Sequence, residues 1–147
     1  LIVWRSVYEH DGRLYADAVR LPVLAAPRAR TGESVPLFTL DDLPPAAGEY
    51  ADARLRDVFA RFSAFADDYT AVVVDDTSGG LVIGDVRYSM DTAGFDAIWG
   101  LRITPLDPFE PARFTGHGPP EREGALRDLW YDLIAPDARF APIAAVR

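Results

Sequence analysis

Asp11-Gly12 stands between two β-type runs, Leu1 to Glu9 and Arg13 to Leu21. An Asp-Gly pair in that setting favours the positive backbone angles of a tight reverse turn, so the chain opens with an antiparallel hairpin. The same logic recurs further on. Tyr69 to Asp75 is β-branched and apolar, Thr77-Ser78-Gly79-Gly80 is turn material, and Leu81 to Met90 is the returning strand. After Asp91-Thr92-Ala93-Gly94 a further strand runs from Phe95 to Thr104, with Phe95, Ala97, Trp99, Leu101 and Ile103 on one apolar face. Strands joined by loops this short must pair antiparallel, because a parallel crossover needs a dozen or more residues.

Between these β runs the period changes. In residues 50–66, Leu55, Val58, Phe59, Phe62 and Phe65 recur at helical spacing. Asp52 with Arg56 and Asp57 with Arg61 stand four apart in the acid-first order that supports a helix. A closing helix is expected over 121–135, with stripe Leu126, Leu129, Trp130, Leu133 and Ile134, Pro120 at its start and Pro136 after its end. Two Pro-rich connections remain. Residues 22–49 carry Pro22, Pro27, Pro36, Pro44 and Pro45 and read as an irregular crossover with a short helical turn near Thr39 to Leu43. Residues 105–120 form the second.

The expected order is therefore β-β-α-β-β-β-α. It predicts an α+β fold, a curved antiparallel sheet of about five strands with two amphipathic helices packed on it. The segments are an N-terminal hairpin (1–21), a crossover (22–49), a helix (50–66), a three-strand meander (69–104) and a closing helix (121–135). At 147 residues and 16.2 kDa these fit one domain. The first residues are already strand-like and Leu1 is not Met, so the sequence reads as a piece excised from a longer protein.

Composition excludes several kinds of partner. A net charge of −8 argues against nucleic acid, whose non-specific recognition needs a basic surface. No apolar run reaches the roughly 18 residues of a membrane-spanning helix. Zero cysteines remove disulfides, thiolate metal sites and cysteine nucleophiles. His10 and His117 lie far apart in loops and form no H-x-H or H-E-x-x-H pattern, so no metal site is expected within this chain. A calcium loop counted from Asp75 or Asp76 would need Glu where Val86 or Arg87 stands. The pairs Asp41-Asp42, Asp67-Asp68 and Asp75-Asp76 are expected at helix ends and turns. None of the serines lies in a nucleophile-elbow context, and Gly79-Gly80 has no following helix or lysine to cradle phosphate.

Polar residues inside strands are what remain. Arg5 interrupts Leu1-Ile2-Val3-Trp4, and Asp85 and Arg87 interrupt Leu81 to Met90. In an extended strand the last two share one face, while Val82, Val86, Tyr88 and Met90 line the other as core. A buried charge needs a partner or water. Asp85 and Arg87 are thus either a structural ion pair or, with Arg5, the floor of a concavity for an anionic group, since Arg matches carboxylate and phosphate geometry.

Three segments occur in a suggestive order: Val3-Trp4-Arg5, Arg61-Phe62-Ser63 and Asp85-Val86-Arg87. In that order residues 1–104 resemble the soluble C-terminal portion of the YbcI/YdjM-type membrane-bound metal-dependent hydrolases, which carry Leu-Trp-Arg, Arg-Trp-Phe-Ser and Asp-Leu-Arg segments. Phe62 in place of Trp and Val86 in place of Leu are departures from that pattern. The resemblance implies a parent protein of the cell inner membrane, with a multi-helix N-terminal region that holds the divalent metal. This chain would then be an extramembranous domain, partnered by the parent membrane region and catalytically incomplete alone. Two other readings stay open: a non-catalytic accessory or protein-interaction domain, and a small-ligand pocket protein lined by Trp99, Phe95 and the Phe62 helix.

Overall fold

The computed structural model describes residues 2–76, 80–89, 91–116, 122–134 and 140–143, leaving aside the side chains of 75–76, 122–126 and 128. The expectations for the turn at 77–79, for Met90, for His117 and residues 118–121, for the side chain of Leu126 and for residues 135–136 fall outside the described residues. The fold is α+β, with antiparallel sheets and two helices. It divides into two compact units, residues 1–35, 89–96 and 119–147 in the first and residues 36–88 and 97–118 in the second.

In the first unit β1 (Ile2–His10) and β2 (Arg13–Leu21) form the expected hairpin, paired from Ile2↔Leu21 to His10↔Arg13. Asp11 and Gly12 have φ of 51° and 70°, the left-handed pair that a two-residue hairpin loop requires. The sheet continues through β3 (Arg28–Arg30) and ends at β9 (Ala141–Pro142), while β4 (Ser34–Pro36) pairs with β2 off this path. Two of these strands lie in the stretch expected to be an irregular crossover. Each is only three residues long, too short to display a period of its own, so its neighbour decides its pairing. Helix α2 (Arg122–Ile134) completes the unit. Of its expected apolar stripe, Leu129 and Leu133 are half-buried while Trp130 and Ile134 are exposed, and among the described side chains of the helix the fully buried one is Asp132.

The second unit is a four-stranded antiparallel sheet of β5 (Thr70–Asp76), β6 (Gly80–Asp85), β7 (Trp99–Ile103) and β8 (Ala112–Gly116), in that spatial order. The fourth strand, β8, occupies part of the second expected irregular connection, and β7 is shorter than the run from Phe95 to Thr104. Helix α1 (Glu49–Phe65) packs Leu55, Phe59 and Phe62 against Ile83, Leu101 and Ile103 of the sheet, as its stripe predicts. Phe65, the last residue of that stripe, is exposed. A 3-10 turn at Leu40–Asp42 sits where a helical turn was expected. The Arg56–Asp52 pair closes at 2.9 Å, and Arg61 pairs with Asp57.

Helix α1 ends in a defined motif that sets the position of a carboxylate. Asp68 N–H donates to the Ser63 carbonyl (2.9 Å) and Asp67 N–H to the Ala64 carbonyl (3.4 Å), the two bonds of a Schellman termination. Asp67 takes the left-handed position of that motif with φ 47°, a place more often filled by Gly. The Asp67-Asp68 pair thus marks a helix end, and Asp67 projects from it beside the end of β6.

Candidate functional site

β6 does not run on to Met90. It stops at Asp85, and Val86, Arg87 and Tyr88 form a turn. The expectation that Asp85 and Arg87 share a strand face is therefore replaced by a different geometry with a local cause. Asp favours the first position of a turn, where its side chain can accept the N–H two residues on. Here Asp85 Oδ1 accepts Arg87 N–H (3.2 Å), and Tyr88 N–H donates to the Asp85 carbonyl (3.4 Å). Val86 N–H is held by the Tyr69 carbonyl at 3.0 Å. The exposed Tyr88 also departs from the core position that strand alternation predicts.

The turn folds Arg87 back onto Asp85. Arg87 Nε donates to Asp85 Oδ1 at 3.0 Å and Nη2 to Oδ2 at 2.9 Å, a two-pronged pairing. Asp85 is 0% exposed and Arg87 24%. Nη1 pairs with Asp67, and Nη2 also donates to the Phe65 carbonyl at 2.6 Å. Trp99 Nε1 adds a long bond to Asp85 Oδ2 at 3.4 Å. The guanidinium carbon lies 5.4 Å from the Tyr88 ring centroid and 6.0 Å from that of Phe65. Hydrogen bonding to Asp85 is the main cause that raises the Arg87 pKa above its already high usual value. Its fork is thus filled by carboxylates and a carbonyl, and the pair ties the end of β6 to the end of α1.

Arg5 has a separate setting in the first unit. Its Nη2 donates to the Gly94 carbonyl at 2.6 Å, and its guanidinium lies 5.6 Å from the Phe95 ring centroid. Burial lowers its pKa, and the nearby Asp91 charge opposes that shift. Gly94, Phe95 and Asp91 around Arg5 are first-unit residues, whereas Phe65, Asp67 and Trp99 around the Asp85–Arg87 pair belong to the second. Phe95, expected in a pocket with Trp99, likewise stands under Arg5.

The first unit holds a second charge cluster that sequence reasoning missed. Asp132 of α2 is buried; its Oδ2 accepts Arg30 Nη2 at 2.7 Å and the Thr92 hydroxyl at 2.5 Å. Arg20 Nε donates to the Asp132 carbonyl at 3.1 Å, and its guanidinium stacks 4.3 Å above Phe140. Asp132 lies more than 100 residues from Arg20 and Arg30, so no local pattern could pair them. The cluster anchors α2 to β2 and β3.

Beside the Asp85–Arg87 turn, the second unit carries an open cavity of about 410 Å³ lined by Phe65, Trp99, Phe114, Thr115 and Gly116. Phe65 and Phe114 are largely exposed, and Tyr88 packs against Trp99 with ring centroids 4.9 Å apart. Phe114 is held from below, edge-on to the buried Phe62 at 5.8 Å. The signal for Phe65 was present in the sequence, as the last member of a helical stripe whose helix ends there. Phe114 had none, because the five residues of β8, Ala-Arg-Phe-Thr-Gly, are too short a run to show a clear apolar period. A further cavity of about 480 Å³ lies between α1 and the 3-10 turn, lined by Phe38, Leu40, Phe59, Ser63 and Asp68 among others.

Among the described residues no group of three or more His, Asp or Glu side chains is placed to hold a metal ion, and no helix is long and apolar enough to cross a membrane. Asp85, with Arg87 bonded to both of its oxygens, does not fit a cation. No protein-family model, curated protein or solved structure matches the chain. The three motifs behind the hydrolase resemblance fall on β1, on α1 and at the turn after β6.

Proposed function

We propose that this chain is a non-catalytic binding module, an accessory domain whose second unit holds an aromatic or branched apolar side chain of a protein partner. The observation that carries this reading is the groove of Phe65, Trp99 and Phe114. Exposed aromatic rings gathered around one concavity mark interaction sites, and aromatic residues are enriched at the cores of protein interfaces. Its volume of about 410 Å³ lies near the small end of the roughly 300–1,000 Å³ typical of ligand pockets, which suits one inserted side chain. The adjacent Arg87 supports the same reading. A guanidinium already bonded to Asp85, Asp67 and the Phe65 carbonyl would have to break those bonds to receive an anionic substrate.

The parent that the sequence motifs suggest, a membrane-bound metal-dependent hydrolase, is compatible with such an accessory role, and we place the catalytic metal outside this chain. Titration of the 147-residue chain with N-acetyl-tryptophanamide, followed by heteronuclear NMR, tests the proposal. Saturable shifts centred on Phe65, Trp99 and Phe114, weakened in Phe114→Ala, are expected. Absence of such shifts would sink it. So would turnover of nitrophenyl esters or phosphates by the intact chain with divalent metals, if Asp85→Asn abolished that turnover.

A further inference from the structure

We propose that the open end of the first unit's hairpin is a shallow lipid-binding tip, seated in the interfacial layer of a bilayer that carries anionic headgroups. From Leu21, the last residue of β2, the chain runs Leu21-Pro22-Val23-Leu24-Ala25-Ala26-Pro27, seven residues without one polar side chain. Val23 is 82% exposed and Leu24 98%, and Ala25, Ala26 and Pro27 are exposed with them. Next to this loop the hairpin register sets Ile2 opposite Leu21 and Trp4 opposite Val19. Trp4 is 63% exposed, so the apolar surface continues from the loop onto β1.

Three properties select a lipid surface over a protein. The loop is a protrusion that offers aliphatic area and no side-chain donor or acceptor; a bilayer requires only area, whereas protein recognition uses polar groups to fix orientation. Charge is complementary. Arg28, half-buried, directly follows the run, and no acidic residue occurs between Asp17 and Glu33, in a chain whose net charge is −8; Arg20, at the other end, is buried against Asp132 and Phe140. Basic residues beside an apolar insertion favour anionic lipid. Depth is also limited in the right way. Pro22 and Pro27 have no N–H to desolvate, and Trp4, with an apolar body and a polar edge, suits the headgroup level.

This surface is independent of the aromatic groove, and its test reads vesicle binding alone, so either proposal can fail without the other. The experiment is flotation of the 147-residue chain with vesicles of phosphatidylcholine, with and without phosphatidylglycerol. The chain should float with the mixed vesicles, less with phosphatidylcholine alone, and less again at high salt. The double substitution Val23→Ser/Leu24→Ser, at side chains that carry none of the core, should reduce the bound fraction about tenfold or more while leaving the thermal melt unchanged. Failure of the wild-type chain to float with either vesicle, or equal flotation of wild type and double variant, would overturn the proposal. A wild-type dimer that the double variant dissolves, without vesicle binding, would assign the tip to a second copy of the chain instead.

Discussion

Arg87 holds Asp85 with two parallel hydrogen bonds, 3.0 Å from Nε to Oδ1 and 2.9 Å from Nη2 to Oδ2, across a turn only two residues long. The carboxylate is fully buried and the guanidinium reaches outward to Asp67 and the Phe65 carbonyl. The pair is therefore a clasp between the end of β6 and the end of α1. An ion pair of this kind is a weak source of net stability, but it is costly to break from one side.

Two substitutions around the same guanidinium should differ sharply. Arg87→Ala strands a buried carboxylate with only the long Trp99 bond among its side-chain donors, and should cost about 3–5 kcal/mol. Asp67 is 75% exposed, so Asp67→Asn, which keeps tolerance of the left-handed backbone, should cost less than about 1 kcal/mol. Urea unfolding measures both. Adding Asp85→Ala to Arg87→Ala should recover part of the loss, because it removes the orphaned charge. Equal costs for Arg87→Ala and Asp67→Asn would show that burial does not control the clasp.

A second prediction concerns Gly84 of β6, which Ala97 and Val73 of β5 approach closely. A Cβ at Gly84 would stand 2.5 Å from Ala97 Cβ and 2.7 Å from Val73 Cγ1. Overpacking of that kind costs roughly 1–3 kcal/mol. Gly84→Ala should lower the urea midpoint accordingly, and adding Ala97→Gly should restore part of it. A neutral Gly84→Ala would mean that the strands separate more easily than this packing implies.

Acid should destabilise the fold through particular carboxylates. The Glu110 and Phe109 N–H groups donate to Asp107 and hold its pKa below the usual carboxylate value; the Arg56 side chain does the same for Asp52. A folded-state pKa below the unfolded one contributes stability that is complete above the unfolded value, about 4, and disappears as pH falls through the folded value. The melting temperature should therefore fall as the pH is lowered from above that value to below it. Asp107→Asn retains an acceptor oxygen but cannot titrate, so its curve should be flatter over that window. Curves that stay parallel would remove Asp107 from the acid response.

How much of the fold was legible beforehand depends on the range of the interaction. The hairpin at Asp11-Gly12, the core stripe of α1 and its two i,i+4 ion pairs follow from neighbours within a few residues, and the structure contains them. β3, β4, β8 and β9 are two to five residues long, and short runs interrupted by Pro or Arg carry no readable period. The pairing of Asp85 with Arg87 was legible while its geometry was not. Strand alternation and a turn both bring residues i and i+2 to one side, and only the turn's hydrogen bonds distinguish them.

The sequence by itself determined the α+β class, the antiparallel pairing and the identity of the charged pair, because short loops and side-chain periodicity are local constraints. Tertiary structure alone decided that Asp132 is buried, that Arg5 and Arg87 serve different units, and that Phe65, Trp99 and Phe114 share one groove. Each of those outcomes joins residues tens of positions apart, and the free energy that selects them arises from desolvation and contact in the folded chain. No local pattern encodes that term.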